Sequence, residues 1–134
     1  MIDIVRSLRL RFPKRLRQKL PVRIRIIVVP SRRSRLLNRI YREKDRATNV
    51  LSFRYDSDYG EIVLCPFVIR REARRAGRSA EKETVRMVAH AMIHLAGVHH
   101  ESSKRAREIS ELLEQKILGS PDDVRAARNP RGGG

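Results

Sequence analysis

The spacing of apolar positions changes several times along this chain, and each change predicts an element. Ile2 to Leu10 alternates partly between apolar and charged residues, which predicts a first strand. Pro13 to Leu20 has the spacing of a short basic helix. In Val22 to Val29 (VRIRIIVV) β-branched residues alternate with arginine and then run on without interruption, as in a strand whose later part is buried on both faces. Ser31 stands where it can cap a helix running to about Tyr41. Asn49 to Tyr55 and Glu61 to Cys65 predict two more strands, joined by the turn-rich DSDYG. A helix is predicted from Pro66 to about Ala76, with Pro66 in its first turn and Gly77 just past its end.

The next helix has the strongest pattern. Ser79 can cap it, Glu81 and Glu83 lie in its first turn, and Val85, Val88, Ala89, Met92 and Ala96 recur at helical spacing as a core-facing stripe. Gly97 is placed to end it in a left-handed cap. Ser102 or Ser103 then opens a charged helix to about Leu118, with Ile109, Leu112, Leu113 and Ile117 expected to pack inward. Strands and helices intermix without strict alternation. The expected class is therefore α+β, a single domain with a small mixed sheet, surrounding helices, and any metal site on the central helix and the turn after it. Residues 1–118 form the expected domain; residues 119–134, ending NPRGGG, read as a basic, disordered C-terminal tail.

Composition narrows the function classes. At 134 residues the chain fits one core. It has no apolar run long enough for a membrane span and no apolar signal core at its N-terminus, where arginines begin at Arg6. With Cys65 as the single cysteine, a cytoplasmic location is expected. The 31 Lys and Arg against 15 Asp and Glu give a formal net charge of +16, which favours a polyanionic partner through counterion release. Arginine is the commoner base, and its planar fork suits phosphate. Nucleic acid or the ribosome is the expected partner.

All four histidines lie in the stretch HAMIHLAGVHH. His90 and His94 are four apart on the predicted helix and project from one face with Cβ atoms about 5–6 Å apart, a separation from which two imidazoles reach one ion. Gly97 lets the chain turn back, which can bring His100 to the same ion, although chemistry alone leaves the choice between His99 and His100 open. Three neutral imidazoles leave one tetrahedral position for water, the composition of a catalytic zinc site. Zinc proteases with this helical spacing carry Glu directly after the first histidine, and here that position is Ala91, which disfavours peptide hydrolysis.

At these residues the chain resembles the YbeY endoribonucleases, the bacterial rRNA maturation factors. HAMIHLAGVHH resembles their H-G-x-L-H-L-x-G-Y-D-H signature, LNRIYREKDRATNVLSF (36–53) resembles LN-x-x-YR-x-KD-x-PT-[DN]-VLSF, and GEIVLCP resembles G-D-I-V-I-x-x. The three blocks keep the family's order across about residues 20–118. Ala91 stands for the usual Gly, Ala47 for Pro, Glu61 for Asp, Val98 for Tyr and His99 for Asp. The resemblance implies one Zn2+ per chain at His90, His94 and His100, and a catalytic role for Arg42. It also implies metal-dependent cleavage of single-stranded RNA in maturation of the small-subunit rRNA 3′ end and in ribosome quality control. RNA and the small ribosomal subunit are the expected partners, with no membrane and no small-molecule cofactor. Arg32, Arg33, Arg35, Arg39 and Arg46 are candidates for an RNA-facing patch around Arg42, the alternative being a solvated basic face. Glu61 is a candidate either for partnering a ligand histidine or for a helix-packing or salt-bridge role, and Cys65 reads as a buried small hydrophobe. The other reading is a non-catalytic, zinc-stabilised ribosome- or RNA-binding assembly factor.

Overall fold

A computed structural model describes residues 3–98 and 103–119. In chain order the elements are α1 (Ile4–Arg9), α2 (Lys14–Arg17), β1 (Arg23–Val28), α3 (Ser31–Arg42), β2 (Val50–Arg54), β3 (Tyr59–Leu64), α4 (Pro66–Ala76), α5 (Ala80–Leu95) and α6 (Lys104–Leu118). The three strands form one mixed sheet in the order β1-β3-β2. β1 runs parallel to β3, with Ile26 opposite Ile62, and β2 runs antiparallel to it, with Ser52 opposite Ile62. The class is α+β, as the interspersed pattern predicts.

The core lies between this sheet and α5. Val85, Val88, Ala89, Met92 and Ala96 are all buried, so the predicted stripe faces inward along the whole helix. They join Val50, Ile62 and Leu64 from the sheet, Ile69 from α4 and Ile117 from α6 in one cluster. Full burial of a Val- or Met-sized side chain contributes about 1.5–3 kcal/mol, so this stripe anchors the helix that carries the histidines. Ser79 caps α5 by accepting from the Lys82 amide at 3.0 Å.

The other end of α5 is built more elaborately. Gly97 adopts φ +93°. Its amide donates to the His94 carbonyl at 2.9 Å, while the Val98 amide donates to the Ile93 carbonyl at 3.2 Å. These are the paired bonds of a Schellman cap. Arg54 of β2 donates to the Leu95 carbonyl and ties the strand to the helix end. Gly60 permits this approach, because a Cβ there would sit 3.1 Å from the Phe53 carbonyl oxygen and 3.4 Å from Leu95 Cδ2.

Four expectations are corrected. The N-terminal segment is a helix, not a strand. Asp3 caps it by accepting from the Arg6 amide, and Val5, Leu8 and Phe12 are buried at three- and four-residue spacing, a helical period that the partial alternation concealed. β1 is an edge strand with no continuously buried half, and Val28 is exposed. Ser31 is the first residue of α3 and not its cap; Pro30 precedes it and no side chain caps the helix. In α6, Ile117 is buried as expected, but Ile109 and Leu112 are exposed and Ser110 is buried in their place, because the inward arc runs through Ser110, Leu113 and Ile117. Cys65 is buried beside the start of α4. No helix among the described residues is long and apolar enough to cross a membrane. His99, His100 and the tail from residue 120 onward lie outside the described residues.

Candidate functional site

His90 and His94 sit one turn apart on α5, and their ring centroids are 4.5 Å from each other. Both rings line a cavity of about 590 Å³, which lies against β2. His90 Nδ1 stands 3.4 Å from Glu114 Oε2 of α6, so the first imidazole is oriented from the helix packed behind it. Arg42 from the end of α3 lines the same cavity, as do Arg86 and Glu114. Tyr41 and Phe53 form its aromatic wall, in edge contact with centroids 5.0 Å apart.

Buried polar contacts fix where Arg42 can be. Ser34 and Asn38, both buried on the inner face of α3, bind the segment that follows. The Ser34 hydroxyl donates to the Thr48 carbonyl and accepts from the Thr48 amide, each at 2.8 Å, and Asn38 donates to the Arg46 carbonyl at 2.8 Å. α3 then ends on Glu43 at φ 58°, a left-handed conformation that costs a non-glycine residue about 1–2 kcal/mol. Arg42 is therefore the last helical residue before a sharp turn pinned from inside.

Two cavity residues escaped the sequence reading. Arg86 lies four residues before His90, so Arg86, His90 and His94 share one face of α5, a relation visible in the spacing alone. Its guanidinium reaches Glu83 Oε1 at 2.6 Å; Glu83 is buried and also accepts from Arg78 at 3.3 Å. Glu114 had no sequence signal, since only the packing of α6 on α5 brings it to His90. Glu61 is not among the residues that line this cavity. It accepts from the Tyr55 and Tyr59 hydroxyls at 2.8 and 2.7 Å, and these bonds hold its carboxyl below the ordinary value.

The arginines expected to surround Arg42 are all exposed, but they do not form one group. Arg32, Arg35 and Arg39 line a second hollow together with Phe67 and Arg71 of α4, while Arg33 and Arg46 line neither cavity. Among the described residues no three His, Cys, Asp or Glu side chains converge as a metal site would require. The donor set on α5 is two imidazoles at a spacing that fits one ion. A third donor has to come from elsewhere, and His100 lies outside the described residues.

Comparison with known proteins agrees with this architecture. A family model described as Endoribonuclease YbeY matches residues 3–120. The Endoribonuclease YbeY of Aromatoleum aromaticum is 44% identical over 89 residues, 64% of this chain and 57% of that protein. That of Methylibium petroleiphilum is 37% identical over 107 residues, 76% of this chain and 72% of that protein. The chain thus spans little more than half the length of the first of these relatives. The solution structure of TM1509 from Thermotoga maritima superposes with a TM-score of 0.58 at 25% identity, over 98% of this chain and 91% of that one. With a family match across nearly all of its length and the same fold in a solved relative, this chain belongs to the YbeY family.

Proposed function

We propose that this protein is a zinc-dependent endoribonuclease that cuts single-stranded RNA in maturation of the small-subunit rRNA 3′ end and in ribosome quality control. The observation that carries the reading is one cavity lined by two imidazoles a helical turn apart, two arginines and an aromatic pair. The relatives named as endoribonucleases point the same way. His90, His94 and His100 would hold one zinc ion, which when bound supplies Lewis acidity to water and to a phosphate oxygen.

The remaining work falls to the chain's own groups. Glu114 beside His90 Nδ1 favours the tautomer with the proton on that nitrogen, in which Nε2 offers its lone pair. Arg42 binds the scissile phosphate and offsets charge that grows on its oxygens. Arg86, held by buried Glu83, sets a second positive charge at the rim of the same cleft. Tyr41 and Phe53 offer ring surface to unpaired bases, which selects single strands over duplex. Arg32, Arg33, Arg35, Arg39 and Arg46 extend the positive surface beyond the cleft.

Metal analysis combined with an RNA cleavage assay tests this. The purified protein should carry about one equivalent of zinc, as expected for one tetrahedral site. His94→Ala should lose both metal and cleavage, whereas Arg42→Ala should keep the metal and lose cleavage by roughly a hundredfold or more. A protein that cuts RNA equally well in both variants does not use this cleft. An assembly factor in which zinc only supports the fold would instead unfold on chelation and show no zinc-dependent cleavage at any stage.

A further inference from the structure

The second cavity, about 680 Å³, opens between α3 and the first turns of α4, and shares no lining residue with the histidine cleft. Its charge comes from Arg32, Arg35 and Arg39, spaced three and four along α3, and from Arg71 of α4. Four guanidinium groups around one hollow repel one another, and the local acid only partly offsets them. Asp45 takes Arg35 through two bonds of 2.9 and 3.1 Å and stands 4.0 Å from Arg39. Among the described residues neither Arg32 nor Arg71 has an ion pair. The hollow is therefore complementary to an anion with several charges.

Phe67 indicates which kind of anion. The residue is 54% exposed at the wall of this hollow, with the Arg71 guanidinium 5.8 Å from its ring centroid. A site for phosphate alone has no use for an exposed aromatic ring, whereas a nucleotide has a π-face for the ring and a phosphate for the arginines beside it. We propose that the α3–α4 hollow is a second RNA subsite, in which Phe67 stacks one unpaired base and Arg32, Arg35, Arg39 and Arg71 hold the phosphates that flank it. Only a strand with exposed base faces can use it, because paired bases stack on each other. One element serves both sites: α3 contributes Arg35 here and Arg42 to the cleft, seven residues or about 10 Å of helix rise apart. A single strand that occupies the hollow is thereby led past the histidines, and its bases outside the cleft add to affinity. Because this role presumes an RNA ligand, it rests on the ribonuclease reading.

The test uses a fluorescently labelled single-stranded 12-mer oligoribonucleotide and the full chain. Phe67→Ala should weaken binding about tenfold, the loss of one stacked base, with no change in the slope of log affinity against log salt. Arg32→Gln should instead reduce that slope by about 0.7, one phosphate contact on a single strand. The chain has no tryptophan, so Phe67→Trp adds a single reporter whose emission should be quenched as the 12-mer binds. If the parent binds and cuts the 12-mer while Phe67→Ala binds it equally well, or the tryptophan emission does not respond, the second subsite is refuted and the ribonuclease reading stands. If the parent binds no RNA, both are refuted. A poly-glutamate peptide that displaces the 12-mer at equal charge and quenches the tryptophan to the same extent would show an acidic-protein surface instead, and would overturn the proposal.

Discussion

Glu43 and Gly97 both carry the chain through the left-handed region at the end of a helix, Glu43 directly after Arg42 and Gly97 three residues after His94, at φ 58° and φ 93°, and the two residues meet that demand at different cost. Glycine adopts it without penalty; a residue with a Cβ does not. Gly97→Ala should therefore lower stability by about 1 kcal/mol, seen as a lower urea midpoint at unchanged slope. Glu43→Gly should raise it by a smaller amount, and a loss there would mean that the turn after Arg42 is held by the Glu43 side chain. Gly97 was legible in the sequence as a cap because only glycine is favoured there. Glu43 was not, since nothing in its residue type announces a left-handed turn. Glu61 adds a pH dependence. Its carboxyl is held below the ordinary 4.5 by hydrogen bonds from Tyr59 and Tyr55. A depressed carboxyl stabilises the fold fully above that ordinary value, and the contribution is lost as pH falls through the lower folded value. Removing the group with Glu61→Gln should flatten the acid limb of a stability-against-pH curve; an unchanged limb would show that the tyrosine bonds do not persist in solution.

Among the elements, α5 was the most legible because its period, its Ser79 cap and its Gly97 stop all agree. Its core side chains are fully enclosed, so truncation leaves a cavity. Met92→Ala should cost about 2–5 kcal/mol in chemical denaturation. A loss under about 1 kcal/mol would mean that the surrounding side chains collapse into the gap. Glu83 on the same helix is buried between the partly exposed Arg78 and Arg86. Glu83→Gln should cost about 1–2 kcal/mol through weakened bonds to both guanidinium groups. In the ribonuclease reading it should also lower RNA affinity by freeing Arg86 from its place in the cleft. The elements read wrongly share a physical cause. In α1 and α6 several faces carry apolar residues, and which face turns inward depends on the neighbour: Phe12 and Leu8 dock into the core beside α5, and α6 presents Ser110 and Ile117 while Leu112 stays in water. β1 carries a central strand's composition yet occupies an edge, because strand order follows from where the intervening chain returns.

For the whole molecule the governing quantity is the net charge of +16, which no arrangement of 134 residues can bury. Association with single-stranded RNA should fall steeply with salt, at a log–log slope of about −0.7 for each phosphate contacted. A flat response would remove the role assigned to the arginine surface. That surface also separates what the chain's residues declare from what folding decides. The sequence by itself determined the α+β class, the central helix with its cap and stop, the pairing of His90 with His94 on one helical face, and the large positive charge. Each of these follows from local period, backbone freedom or total charge, and none needs a distant contact. Only the tertiary structure decided that Arg42 meets the histidines in one cleft, that Glu114 stands behind His90, and that Arg32, Arg35 and Arg39 share a second hollow with Phe67. Those juxtapositions come from α6 packing on α5 and from Ser34 and Asn38 anchoring α3 to residues 46–48. Side chains separated by dozens of residues meet only where a shared core brings their elements together.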